Sequence, residues 1–492
     1  MSHKEESTME DAELELSRLR SGPITPKMRM QIPPQEMPTQ DPIERRSNMN
    51  EVALGYTSAQ AMLEAERCLQ CKNAPCIAGC PVRVDIPGFI GKIKEGDFLG
   101  AARIIKRTNL LPSICGRVCP QETQCQAPCT VGKALHSVEK AIQIGRLERF
   151  AADYERGHGA VEIPHVSQRT GRKVAIVGAG PAGLTCAVDV RREGHSVAIF
   201  EAFHKPGGVM VYGIPEFRLP KVLVQAEAEV LQSMGVDFEL NFLVGRTRPL
   251  LSLLKEDGFE AIFIGTGAGL PKFMDIPGEN LVGVFSANEY LTRTNLLKAY
   301  MKGKAGTPIY PSRRVAVLGG GNVAMDSARM ALRLGAEEVR VLYRRTRSEM
   351  PARAEEVEHA VEEGIIFDFL KSPTRVIGDD KGRVAALEVL SYELGEPDES
   401  GRRKPVPIHG SEEIIPFDTV IVAIGNESNP LISKTTPELQ VDRHGHIIVD
   451  ERQKTSIERV YAGGDIVLGS ATVILAMGEG RRAAQSINEI LQ

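Results

Sequence analysis

Lys173-Val-Ala-Ile-Val-Gly-Ala-Gly-Pro-Ala-Gly183 decides the fold of this chain. Lys173–Val177 is a short apolar run of the kind that fills a parallel strand buried on both faces. Gly178, Gly180 and Gly183 then set out a G-x-G-x-x-G turn, with Pro181 beside it and a helix expected from Leu184 to Glu193. The next strand, His195–Phe200, ends at Glu201, 23 positions beyond Gly178. Together these are the parts of a dinucleotide-binding unit. The glycines let a pyrophosphate approach the helix N-terminus, and the acid accepts from a ribose hydroxyl. An acid at that point repels a 2′-phosphate, so the site is expected to take FAD or NAD. A glycine motif alone is weak evidence, and a tight turn without a ligand is the plain alternative. The strand, helix and acid around this one favour the site.

The pattern recurs downstream. Arg314–Leu318 reads as a strand, Gly319, Gly321, Asn322, Val323 and Ala324 form the turn, and a helix runs to Leu334. The following strand, Val339–Tyr343, ends not in an acid but in Arg344 and Arg345, with Arg347 beyond. Guanidinium groups bind phosphate through a planar fork, so this second site is expected to prefer NADPH to NADH. A solvated basic loop is the alternative. A strand-rich stretch is expected over 383–424, and a final helix from about Ala471.

Upstream lie eight of the nine cysteines, in two groups of four within 62 residues. The first is Cys68, Cys71, Cys76 and Cys80, closed by Pro81; the second is Cys115, Cys119, Cys125 and Cys129. The C-x-x-C start and the Cys-Pro ending echo ferredoxin runs that hold [4Fe–4S] clusters. Zinc would also use four thiolates, but a redox cofactor downstream favours iron. Disulfides fit poorly with a chain that shows no secretory signal. Only Cys186 follows Cys129. It falls on a helix expected to be packed, so no C-x-x-C pair serves thiol–disulfide exchange.

Composition sets the frame. The chain has 492 residues and a formal net charge of −4, which argues against a nucleic-acid binder. It contains no run of 18 apolar residues, so no membrane span is expected, and a cytoplasmic protein is the reading. Residues 1–50 are polar and proline-rich and read as a flexible N-terminal arm. Thr57 and Gln60 form a capping box that starts a helix through Ala61–Arg67. Short helices such as 89–94 and 99–106 alternate with the cysteine loops. The fold class is therefore α/β: two Rossmann-like domains, for FAD and NADPH, preceded by a helical iron–sulfur domain. The expected divisions are 51–165 for the helical domain, 171–305 with 431–492 for the FAD domain, and 306–430 for an inserted NADPH domain.

In combination, Glu51-Val, Gly55-Tyr-Thr57, both cysteine runs, Gly178–Leu184, Gly319–Arg329, Arg344–Arg353 and Gly463-Gly464-Asp465 resemble the small subunit of NADPH-dependent glutamate synthase. The same module is similar to the N-terminal part of dihydropyrimidine dehydrogenase and to the large subunit of NADH-dependent ferredoxin:NADP oxidoreductase. The resemblance spans about residues 50–492. It implies FAD, NADPH and two [4Fe–4S] clusters, with Gly208, Gly464, Asp465 and Thr472 added to the FAD site. It also implies interleaved cluster ligands: Cys68, Cys71, Cys76 and Cys129 for one cluster, Cys80, Cys119 and Cys125 for the other. In some relatives a Gln or Glu on the next helix replaces the eighth thiolate, and Glu148 matches that position. On a helix Glu148 shares a small apolar face with Ala141, Ile144, Gly145, Ala151 and Ala152, where an acid needs a partner. Cys115 is the alternative eighth ligand.

The function implied is electron transfer from NADPH through FAD and the clusters to a partner. That partner is expected to be a large FMN-containing glutamate synthase subunit, or a small ferredoxin-reductase-like flavin subunit of a bifurcating or sulfide-dehydrogenase-like enzyme. Residues 1–50 hold no cysteine and supply no glutaminase nucleophile. A zinc-stapled scaffold with a structural flavin is the non-enzymatic rival. A homo-oligomer is compatible with the sequence. Hydride transfer requires no acid–base residue, so none is named.

Overall fold

In the computed structural model the described residues are 3–301, 303–398 and 401–492, with side chains described from Asp11 onward. The first glycine unit folds as expected. β1 (Lys173–Val177), β2 (Ser196–Glu201), β3 (Asp237–Leu240) and β4 (Ala261–Ile264) are all parallel, in the order β3-β2-β1-β4. The chain then leaves on β5 (Leu270–Pro271) and builds a second parallel sheet from β6 (Val284–Ser286), β7 (Arg314–Leu318), β8 (Glu338–Tyr343) and β9 (Ile366–Phe369). An antiparallel layer follows, β10 (Lys371–Gly378), β11 (Val384–Pro397), β12 (Arg403–Pro407) and β13 (Glu413–Pro416). β14 (Thr419–Val422) enters between β6 and β7. β15 (Asn426–Glu427) pairs back on β5, antiparallel, and β16 (Val460–Ala462) closes the first sheet beside β4.

Sheet membership corrects the expected start of the insertion at 306. β6 belongs to the second sheet, so the crossing lies at β5, before Val284. The chain returns at β15, Asn426–Glu427. Two short strands paired to each other thus carry both passages between the nucleotide units.

The cysteine region is helical. Its first helix, Ser58–Glu66, begins with the expected capping box: Gln60 N–H donates to Thr57 Oγ1 at 3.2 Å, and Thr57 N–H to Gln60 Oε1 at 3.0 Å. Its other longer helices are Ile86–Glu95, Phe98–Lys106, Pro112–Val118 and Ile144–Gly157. It shares one apolar core with the first nucleotide unit, running from Phe89 and Leu147 through to Ile176, Met477 and Ile487.

The arm is fastened to its own chain. Arg29 Nη1 donates to Glu66 Oε2 at 2.7 Å, Gln35 N–H to Glu64 Oε2 at 2.8 Å, and Val52 N–H to the Phe217 carbonyl at 2.9 Å. Arg45, fully buried, pairs with Glu363 at 2.9 Å and Glu362 at 2.6 Å in the second nucleotide unit. A buried guanidinium needs carboxylates, and these lie far along the chain. They belong to a larger network. Glu363 also meets Arg329 and Arg333, each at 2.7 Å, and Arg218 of the first unit meets Asp326 at 2.7 Å and Glu356 at 3.0 Å. Phe217 lies against this set, with Arg333 3.8 Å from its ring centroid. The network joins arm, first unit and second unit.

Candidate functional site

The first cysteine site is a cavity. Cys68, Cys71, Cys76 and Cys129 line it together, closed by Ile86, Pro87, Ile90, Val131, Ile142 and Ile144. Cys129 comes from the second sequence group, which is the interleaving that the resemblance implies. Burial pushes the Cys68 thiol up to about 11 and the Cys76 thiol up to about 12. Thiolates in such an apolar pocket need a compensating positive centre, so the donor set fits a metal cluster. Gln70 Nε2 lies 3.5 Å from Cys68 Sγ, and Cys71 Sγ lies 3.3 Å from Thr130 Oγ1. Contacts of this kind tune cluster potentials.

The second site gathers Cys80, Cys119, Cys125 and Glu148. Burial pushes Cys80 up to about 11. Burial and then the Glu148 charge push Cys125 up, whereas a hydrogen bond with Cys115 and then burial do so for Cys119. Burial lifts Glu148 itself to about 8, and Asn109 opposes this by donating to its Oε1 at 2.5 Å. Asn109 also faces Cys115 Sγ, at 3.6 Å from Oδ1. Cys115 is fully buried, with Met477 Sδ 3.6 Å from its sulfur. Both candidates for the eighth ligand are therefore at hand. Among the described residues, no three His, Cys, Asp or Glu side chains converge on a point that would hold a single metal ion.

The first glycine turn fits a pyrophosphate. Gly178 takes φ +104°, and a Cβ there would lie 2.5 Å from the Gly265 carbonyl. A Cβ on Gly183 would lie 1.9 Å from the Gly178 carbonyl, so helix and turn touch. At Gly180 nothing lies within 4 Å of that position, which leaves space before the helix Pro181–Arg192. Glu201 ends β2 and accepts from Ala179 N–H at 2.8 Å and Phe203 N–H at 2.9 Å. Gly208 closes over the same turn, its Cβ position 2.9 Å from Gly180 Cα. Gly464 N–H donates to Glu479 Oε2 at 2.6 Å. Asp465 is pushed up to about 6 by burial, while Ala471 N–H donates to it at 3.2 Å. Thr472 caps the helix Val473–Leu491 and accepts from Gln124 Nε2 at 3.3 Å, tying this helix to the cysteine region.

The second turn repeats the geometry. A Cβ on Gly319, φ +137°, would lie 2.3 Å from the Ala423 carbonyl, and the space at Gly321 is open but for Pro351 at 3.9 Å. Asn322 Oδ1 accepts from Arg353 N–H at 3.0 Å, Val323 is exposed, and Ala324 is buried against the core. The two expected arginines part company. Arg344 is exposed at the end of β8. Arg345 is buried and committed elsewhere, donating to the Arg403 carbonyl at 2.7 Å and pairing with Asp398 at 2.6 Å. Nε and Nη2 of Arg345 are thus engaged within the protein, which sets it apart from the exposed Arg344. Arg347, exposed and only 3.7 Å from Glu358, is the second available cation. Sequence reasoning gave no role to Asn109, Gln121 or Arg353. A lone polar residue whose partners are distant in sequence gives no local signal.

Comparison with known proteins agrees with this layout. Residues 45–160 match the family model for dihydropyrimidine dehydrogenase domain II, 4Fe-4S cluster, and residues 172–480 match pyridine nucleotide-disulphide oxidoreductase. The glutamate synthase [NADPH] small chain of Halomonas elongata is 38% identical over 91% of this chain and 94% of its own length. That of Escherichia coli is 37% identical over 92% and 97%. The NADP(+)-dependent formate dehydrogenase subunit beta of Moorella thermoacetica is 39% identical over 85% of this chain but 60% of its own length. In fold, FprA from Mycobacterium tuberculosis in complex with NADPH aligns with TM-score 0.54 at 19% identity, over 65% of this chain and 84% of its own. No helix among the described residues is long and apolar enough to cross a membrane. The chain is an NADPH-dependent flavin and iron–sulfur oxidoreductase with FAD, NADPH and [4Fe–4S] clusters as cofactors, and it belongs to the family of the glutamate synthase small chain and its related FAD/[4Fe–4S] modules.

Proposed function

We propose that this chain is the small subunit of a glutamate synthase, delivering electrons from NADPH to a large FMN-containing subunit. The observation that carries the relay is the packing of the second cysteine site against the flavin unit: Cys115 Sγ meets Met477 Sδ at 3.6 Å, on the helix that Thr472 caps. Support for the glutamate synthase role comes from near end-to-end similarity to small chains from several bacteria. When bound, FAD would supply the exchange between two-electron hydride chemistry with NADPH and one-electron chemistry with the clusters. The chain's own residues hold and orient these groups. Cys68, Cys71, Cys76 and Cys129 hold one cluster; Cys80, Cys119, Cys125 and Glu148 hold the other. Gly178, Gly180, Pro181, Gly183, Glu201, Gly208, Gly464, Asp465 and Thr472 seat FAD. Gly319–Ala324 receive the pyrophosphate of NADPH, and Arg344 with Arg347 grips its 2′-phosphate.

Anaerobic purification with iron, sulfide and flavin analysis, beside NADPH and NADH titrations, tests the relay. About eight irons and one FAD per chain, bleached by NADPH, are expected. Zinc in place of iron sinks the relay. Reconstitution with a large FMN subunit then tests glutamate formation from 2-oxoglutarate and glutamine. A second reading, an NADP(H)-linked subunit of another electron-transfer complex, draws on similarity to the formate dehydrogenase subunit beta and to an NADPH-Fe(3+) oxidoreductase subunit beta of Geobacter sulfurreducens. Co-purification with a partner other than a large FMN subunit favours that reading.

A further inference from the structure

Arg353 joins two regions that the chain order keeps apart. Its N–H donates to Asn322 Oδ1 at 3.0 Å, and Ala352 N–H donates to the Gly320 carbonyl at 3.2 Å, so this loop is fastened to the second glycine turn. Its side chain reaches the cysteine region instead. Nη1 donates to the Arg117 carbonyl at 2.9 Å and Nη2 to Gln121 Oε1 at 3.2 Å. Gln121 in turn donates to the Cys115 carbonyl at 3.3 Å. The guanidinium side chain is 10% exposed, with Glu355 at 3.1 Å and Glu122 at 3.8 Å. Its two hydrogen-bond partners, Arg117 and Gln121, flank Cys119 in the chain, so the guanidinium is fixed beside that cysteine's loop. A fixed cation beside a cluster stabilises the reduced, more negative form, and burial strengthens the effect.

We propose that Arg353 is a positioning residue that couples occupancy of the Gly319–Ala324 turn to the electron affinity of the cluster site at Cys80, Cys119 and Cys125. The inference rests on the ligand assignment above. The loop fastened to the glycine turn also carries the cation bonded on both sides of Cys119, so a shift at the turn is transmitted to the cysteine region. Linkage makes the coupling reciprocal: reduction of that cluster changes nucleotide affinity by the same factor.

The test is an EPR-monitored redox titration of the full-length holoprotein, with and without saturating NADP⁺, for wild type, Arg353→Gln and Asn322→Ala. Iron and sulfide are measured on the same samples. In wild type, NADP⁺ is expected to shift the midpoint of one centre and leave the other in place. Arg353→Gln lowers that midpoint and abolishes the shift. Asn322→Ala, titrated first to confirm that NADP⁺ still saturates it, keeps the nucleotide-free midpoint and loses the shift, which serves if Arg353→Gln fails to fold. Midpoints that ignore NADP⁺ in wild type, or a shift that survives either variant, overturn the proposal. Iron near four per chain in wild type would instead refute the ligand assignment itself.

Discussion

Glu148 and Cys115 sit on either side of one amide, Asn109, and the difference between them is testable residue by residue. With Glu148 as ligand, Cys115→Ser keeps about eight irons per chain, and Glu148→Ala loses about half of them. Iron analysis and EPR of the two variants decide the matter, and the reverse pattern assigns Cys115. Arg344 and Arg345 make a second contrast. Arg344→Ala removes a charge-assisted contact of about 1.5–3 kcal/mol, so KM for NADPH rises roughly ten- to a hundredfold while KM for NADH barely moves. Arg345→Ala removes the 2.6 Å pair with Asp398 and lowers thermal stability instead. Equal effects of both variants on NADPH would restore the phosphate role to Arg345. Adjacent arginines look identical in sequence. Only the fold separates the one that ends a strand in the open from the one turned onto a neighbouring hairpin.

At the scale of elements, the glycine turns make the sharpest prediction. Gly183→Ala would set a Cβ 1.9 Å from a backbone carbonyl, which no side-chain motion relieves. The variant is expected to lose flavin and to melt earlier. Gly180→Ala has open space and should fold, with weakened flavin retention as its main defect. Visible absorbance and thermal melts distinguish the two. These turns were legible because strand, glycine turn and helix are contiguous, as is the Thr57–Gln60 box. The interleaved cysteine sets came from family resemblance, and the cavity then brought Cys129 to the first three. β6 was not legible. Its three residues pair with β14, which comes last in sequence among the strands of that sheet. Nor was the fate of the arm, since Arg45 and Glu363 lie 318 positions apart. Local pattern records what a segment can become, and partners that distant leave no mark on it.

At the scale of the whole molecule, a buried network that includes Arg45, Arg218, Arg329, Arg333, Asp326, Glu356 and Glu363 ties the arm to both nucleotide units. Burial alone would raise the Glu363 carboxyl, but the hydrogen bond from Arg333 and the charges of Arg329 and Arg333 hold it down to about 2. A depressed folded value means its stabilisation is complete above the ordinary carboxylate range and is lost as pH falls from about 4.5 towards 2. Thermal melts across that window should show a steep fall, and a flat profile would show that the network contributes little. Arg45→Ala removes one of three guanidinium partners of Glu363 and should cost about 3 kcal/mol, at the lower end for a broken buried pair. It also frees the arm, read as new protease cleavage before residue 50. One feature bears on how the protein is made. The cysteine region and the flavin unit have a single apolar interior, with Met477 against Cys115 and a Gly478 position 3.3 Å from the Pro81 carbonyl. Neither half can therefore mature as a finished part awaiting the other. Iron starvation during synthesis would yield few intact yellow flavoproteins lacking only metal, and oxygen damage to a cluster would register as turnover of the entire polypeptide.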